Sequence, residues 1–268
     1  MKELNERIAE AFARIRQEKP LIHHITNYVV MNDTANLTLH LGALPVMAHA
    51  PEEVAEMTSM ASALVLNIGT LTIPRVEAML KAGKRASELG IPIVLDPVGA
   101  GATKLRTESA LRLIRELNVA IVRGNSGEIG ALLGLEAEVK GVESVKGVED
   151  PAEAVRKAAS LWKSVVAITG KRDFVSDGER VLGVDNGHPF LTTITGSGCM
   201  ATTAIAAFAA VEKDYLLAAA GGLACFGLAA ELAAQKASGP ASFKVHLFDE
   251  LFNLTPEALA RGARIVQL

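Results

Sequence analysis

Five short apolar runs punctuate the chain, at residues 43–47, 63–68, 91–95, 119–122 and 165–169, with segments of helical period between them. Runs of four to six residues, rich in Val, Ile and Leu and bounded by Gly, Pro or polar residues, are too short for core helices. They read as strands buried on both faces. Parallel neighbours need a crossover of a dozen residues or more, usually a helix, and the spacing here supplies it. The expectation is an α/β fold with a mostly parallel central sheet covered by helices on both sides.

The intervening segments fill in that plan. Residues 1–18 place Leu4, Ile8, Phe12 and Ile15 on one helix face. Residues 20–27 lead into a helical pattern over 28–41, which Gly42 closes. Further helices are expected from Pro51, over 74–89 with Gly83 inside, over 107–117, from 128 to 133, and over 151–162. Residues 136–150 are polar, glycine-broken and carry Val-Lys-Gly-Val-Glu twice, at 139–143 and 145–149, and read as a surface loop. Asp177-Gly178 predicts a hairpin turn between 173–176 and 180–185. Helical patterns over 200–211, 215–235 and 243–261, the last interrupted at Pro256, complete the chain.

Half of the 268 residues are hydrophobic and only 4% aromatic, enough for one large domain over residues 1–268. A net charge of −3 without a Lys/Arg run argues against nucleic acid as a partner. Two cysteines, Cys199 and Cys225, offer neither a disulfide framework nor a metal-binding spacing, so a reducing compartment is expected. The charged first helix is no secretory signal. The apolar stretch 215–230 holds Gly221, Gly222 and Gly227 and falls short of the roughly 18–20 residues of a membrane span. A soluble, cytoplasmic protein with no membrane partner is expected.

Three polar, glycine-bearing segments, 96–101, 123–128 and 193–199, follow runs read as strand or hairpin. In a parallel sheet they would meet beyond the carboxyl ends of the strands, where such folds bind ligands. In the third, a β-branched stretch turns through Gly196 and Gly198 into a helix. Glycines let the backbone approach a phosphate, and the helix start offers unpaired N–H groups and a positive dipole end. Cys199, in the first turn, is expected to have a lowered thiol pKa, or alternatively to be a small buried hydrophobe. Asp96 ends a strand and would stand at the rim, suited to a metal ion or its waters. Glu128 suits the same ion, though Asn125 and Glu128 are also spaced as a capping box. Mg²⁺ takes one or two protein carboxylates plus substrate phosphates. Neither a P-loop nor a dinucleotide-binding glycine fingerprint occurs. A cysteine hydrolase built on Cys199 would need a histidine base, and no Cys–His signature is present.

Taken together, Pro20-Leu-Ile-His-His-Ile-Thr-Asn27, Asn36, the 42–53 stretch, Asp96-Pro-Val-Gly-Ala-Gly101, Arg123-Gly-Asn-Ser-Gly-Glu128 and Gly196-Ser-Gly-Cys199 resemble the signatures of hydroxyethylthiazole kinases. The resemblance runs over nearly the whole chain. It implies a ribokinase-like, three-layer α/β/α sandwich without a separate lid domain. The implied reaction is ATP-dependent phosphorylation of the hydroxyethyl group of 4-methyl-5-(2-hydroxyethyl)thiazole, a salvage step toward thiamine, with Mg²⁺ and a homotrimer. Under the same likeness Cys199 is the candidate base, Gly196, Ser197 and Gly198 form the anion hole, and Asp96 and Glu128 organise Mg²⁺. Arg123 and Thr169 contact ATP, and Met47, Asn27 and Gly196 line the thiazole pocket. His24 stands where relatives carry cysteine. A sibling kinase acting on hydroxymethylpyrimidine or a pyridoxal-like alcohol shares all but the alcohol pocket.

Overall fold

A computed structural model describes residues 2–140 and 150–268. Its centre is one nine-stranded sheet in the order β2-β1-β3-β4-β5-β6-β7-β8-β9. The strands are β1 (Leu21–Ile25), β2 (Leu44–Val46), β3 (Ala63–Asn67), β4 (Ile93–Asp96), β5 (Val119–Asn125), β6 (Val165–Thr169), β7 (Asp173–Ser176), β8 (Val181–Val184) and β9 (Ile265–Gln267). The six strands from β2 to β6 are parallel, and β7, β8 and β9 add antiparallel at one edge.

Alternate side chains of each strand enter opposite cores, as the two-residue strand period requires. Ala63, Val65 and Val94 pack under α1 (Lys2–Glu18), α2 (Met31–Leu41), α8 (Ser197–Val211), α9 (Tyr215–Lys236), α10 (Pro240–Asn253) and α11 (Pro256–Gly262). Leu64, Leu66, Ile93 and Leu95 pack under α3 (Val54–Met60), α4 (Ile73–Leu89), α5 (Lys104–Glu116), α6 (Ser126–Lys140) and α7 (Pro151–Trp162). The result is the expected three-layer α/β/α sandwich. Helix α9 is long and apolar enough to cross a membrane, but 89% of its most apolar window is buried among its neighbours. It is a core helix.

Several expectations are corrected. Residues 21–25, read only as a lead-in, form β1 between β2 and β3. Its two histidines hide the strand pattern, yet both are buried and partnered. His23 bonds Thr58 Oγ1 and Ala48 O, and His24 Nε2 bonds Thr38 Oγ1. Helix α2 starts at Met31 rather than Tyr28, because Asn27 Oδ1 accepts from the N–H of Val29 and Val30 and turns the chain there. The helix expected from Pro51 starts at Val54. Strand β5 runs on through Asn125, and α6 continues past residue 133 to Lys140, so the loop reading of 136–150 fails over its first turn. The rest of that loop, with the Val-Lys-Gly-Val-Glu tandem beyond residue 140, lies outside the described residues. The β-branched residues 192–193 belong to a 3-10 helix, Pro189–Thr193, capped by His188. The interrupted last helix is two helices, Thr255 capping the second with Pro256 in its first turn, and β9 follows unannounced. Gly83 inside α4 has a packing reason: a Cβ there would overlap Leu117.

Candidate active site

Strands β3, β4 and β5 end side by side, with Asn67 opposite Asp96 and the run from Arg123 to Asn125 on the next strand. Helix α8 lies across this edge and delivers the third expected segment. Gly196 is its N-cap at φ +82°, a left-handed conformation that suits glycine, and a Cβ there would overlap Val30. No side chain caps this helix start. Its first N–H groups, on Ser197, Gly198 and Cys199, therefore face the site with the positive end of the dipole.

The Arg123 guanidinium lies against Gly198, close enough that a Cβ there would meet its Nη1 at 2.5 Å. Arg123 Nη2 donates to Thr169 Oγ1, which in turn donates to Gly124 O at 3.3 Å. Arg123 Nη1 stands 4.0 Å from Asp96 Oδ2. Arg123 and Thr169 are thus brought together with the α8 N-terminus.

Asp96 is not at an open rim. It is only 1% exposed, with Oδ2 accepting from Asn67 Nδ2 and Thr202 Oγ1, each at 2.9 Å, and Oδ1 buried without a partner. Burial pushes its carboxyl up to about 6 against the pull of Arg123. Glu128 holds the neighbouring loop. Its Oε2 accepts from Asn125 N at 2.9 Å, and Asn125 Oδ1 accepts from Glu128 N at 2.9 Å, so the capping box is real. Oε1 accepts from Gly99 N at 2.8 Å and ties the loop after β4 to the start of α6.

Cys199 Sγ accepts from Asn67 Nδ2 at 3.2 Å and Asn27 Nδ2 at 3.5 Å. Backbone donors fix both amides. Asn27 Oδ1 is taken by Val29 and Val30, and Asn67 Oδ1 by Gly69 N at 3.0 Å, so the NH2 ends face the sulfur. The expected lowering of the thiol pKa is overturned: burial first, then the charge of Asp96, push it up to about 12. A helix dipole, worth up to about 2 kcal/mol in favourable geometry, does not outweigh that loss of solvent. No histidine bonds Sγ among the described residues, and His188 instead accepts from Phe190 N and packs on aromatic rings. The hydrolase alternative therefore lacks its base.

Asn27 joins the cluster. Met47 follows β2, half-buried at the same sheet edge, about 10 Å from β3 across β1. Sequence reasoning missed Asn67 and Thr202. The signal for Asn67 was an amide interrupting an apolar run two residues before Gly69. It also missed Arg106, whose guanidinium donates to the carbonyls of Ile68, Val98 and Gly69 at 2.7–3.1 Å and clamps the loops after β3 and β4.

The sequence profile of the hydroxyethylthiazole kinase family matches residues 12–257. A hydroxyethylthiazole kinase of Roseiflexus sp. (strain RS-1) is 67% identical over all of this chain and 99% of its own length. One of Desulforudis audaxviator (strain MP104C) is 66% identical over 99% of this chain and 97% of its own. The solved hydroxyethylthiazole kinase structure from Pyrococcus horikoshii OT3 superposes with a TM-score of 0.91 at 45% identity, covering 98% of this chain and 99% of that one. A ribokinase-like superfamily protein from Enterococcus faecalis, 14% identical with a TM-score of 0.65 over 96% of this chain and 95% of its own, shares the fold. The profile match over most of the chain and relatives at 66–67% identity over nearly its full length show that the chain belongs to the hydroxyethylthiazole kinase family.

Proposed function

We propose that the protein transfers the γ-phosphoryl of ATP to the hydroxyethyl oxygen of 4-methyl-5-(2-hydroxyethyl)thiazole, a step that feeds thiamine formation. The observation that carries this reading is the glycine-opened start of α8 with Arg123 packed on Gly198. Phosphoryl transfer has a loose transition state, so charge stabilisation and in-line positioning do most of the catalysis. The N–H groups of Ser197, Gly198 and Cys199 receive the transferring oxygens, and Arg123, oriented by Thr169, neutralises them. Asn27, Met47 and the Gly196 backbone hold the thiazole alcohol.

The donor set fits Mg²⁺. Asp96 Oδ1 is a buried acceptor with no hydrogen-bond partner, and each Glu128 oxygen takes one N–H and keeps a lone pair. When bound there, Mg²⁺ supplies charge neutralisation to the phosphates. Cys199 stands at the acceptor side as the base. Burial keeps the resting thiol protonated, so the thiolate is a minor species and proton removal comes late. The single domain 1–268 acts as a cytoplasmic homotrimer in this reading. Tyr28 and Val29, 69% and 61% exposed beside Asn27, offer apolar surface that a second copy would cover.

The test is ADP release from Mg-ATP with hydroxyethylthiazole, hydroxymethylpyrimidine and pyridoxal in turn. Thiazole-dependent release that stops with EDTA is expected. Turnover confined to another alcohol would keep the nucleotide site and discard the pocket, and no turnover with any alcohol would discard the reading.

A further inference from the structure

Asn67 ends β3 as a buried amide that uses every hydrogen-bonding position it has. Its Oδ1 accepts from Gly69 N at 3.0 Å and Asn27 Nδ2 at 2.8 Å. Its Nδ2 donates to Asp96 Oδ2 at 2.9 Å and Cys199 Sγ at 3.2 Å. One NH2 group therefore joins the sulfur at the acceptor side to the carboxylate at the phosphate side. Gly69 is part of the device, because a Cβ there would come 2.7 Å from Asn27 Nδ2 and push the second amide off the sulfur.

We infer that Asn67 is a positioning residue for the transfer, a rigid spacer that fixes Cys199 Sγ relative to Asp96; the inference rests on the kinase reading above. The residue type follows from the geometry. Two acceptors on one side demand two donors from a single planar group, while the backbone N–H of Gly69 demands an acceptor on the other. Aspartate would turn an acceptor on both the sulfur and the carboxylate. Serine offers one donor on a shorter stem, and glutamine displaces the amide by a methylene.

Truncation at 67 leaves Asp96 with Thr202, and leaves Sγ with only the 3.5 Å bond from Asn27. It touches neither Arg123 nor Ser197 and Gly198, whose groups face the phosphates, and Thr202 still holds Asp96 Oδ2. Asn67→Ala is thus expected to lower kcat by about 10²-fold, the scale of a misplaced reacting group, with a much smaller change in KM for Mg-ATP because Thr202 still holds Asp96.

The deciding experiment is a double-mutant cycle on kcat with Asn67→Ala, Cys199→Ala and the pair, each checked for folding by circular dichroism. If Asn67 acts through the sulfur, its effect in the Cys199→Ala background is about tenfold smaller than in wild type, as contacting groups couple. Asn67→Ser runs the same cycle should the alanine variant not fold. Equal factors in both backgrounds, or a loss confined to KM, would overturn the inference while leaving an active kinase. A wild-type enzyme that phosphorylates no alcohol would overturn the kinase reading and this inference with it.

Discussion

At the scale of single residues, burial drives both Asp96 and Cys199 toward their neutral forms, and the two shifts have different consequences. Asp96 titrates near 6 in the fold against an ordinary 3.8. Between those values the folded state keeps a proton that the unfolded chain releases, so stability falls as pH rises through the window and stays reduced above it. Asp96→Asn removes that charge. It is expected to be inactive yet more stable than wild type by about 2 kcal/mol at pH 8, with the difference vanishing below pH 4 in urea melts. For the thiol near 12, the thiolate fraction grows with every unit of pH in the working range. Wild-type kcat is expected to rise from pH 7 to 9. Cys199→Asp should retain activity with a flatter profile, and Cys199→Ala should lose about 10²–10⁴. A Cys199→Asp profile as steep as that of wild type would take the sulfur out of the proton path. The residue types of this site were legible in the sequence, but the direction of the cysteine shift was not. It depends on how deeply Asn27, Asn67 and Asp96 enclose Sγ, and those residues lie far from it in the chain.

At the scale of elements, the α8 start is the most exacting. Gly196→Ala combines a positive φ with overlap on Val30, and is expected to cost about 2 kcal/mol or more of stability, read by thermal melting, along with most of the activity. Helices were readable in outline because their signals are local, but most N-caps were not named and some starts were misplaced, α5 beginning at Lys104 rather than 107. Thr72 accepts from Arg75 N, Thr103 from Arg106 N and Asp150 from Ala152 N, each at the helix start it defines. Strand β1 was not readable, since His23 and His24 are made apolar in effect by partners from α2, α3 and the loop after β2. Likewise β9 is three residues that pair only because β8 is there to receive them.

At the scale of the whole molecule, the histidines of β1 link stability to acid. Burial holds His24 down to about 3, and in the loop after β2 burial and then the charge of Arg75 hold His49 down to about 4. A depressed folded value means that the unfolded chain binds the proton first. The stability is present above pH 6.5 and is lost as pH falls toward 3. His24 alone should cost about 2 kcal/mol between pH 7 and 5 in urea denaturation, and His24→Cys should narrow that gap.

The sheet order carries a different consequence, for the order of events in folding. From β4 to β9 each strand pairs with the one before it in the chain, so the sheet can extend step by step. The cluster around Cys199 does not grow that way. Cys199 reaches Asn67 across 132 residues and Asn27 across 172, and Thr202 reaches Asp96 across 106. Helix α8 must come back from the antiparallel edge and settle over β3 and β4 before sulfur, amides and carboxylate share one space. Such long closures are slow relative to local pairing. In refolding, kinase activity should therefore lag behind the return of the far-ultraviolet signal, and a nascent chain ending before α8 would carry most of the sheet but no working catalyst.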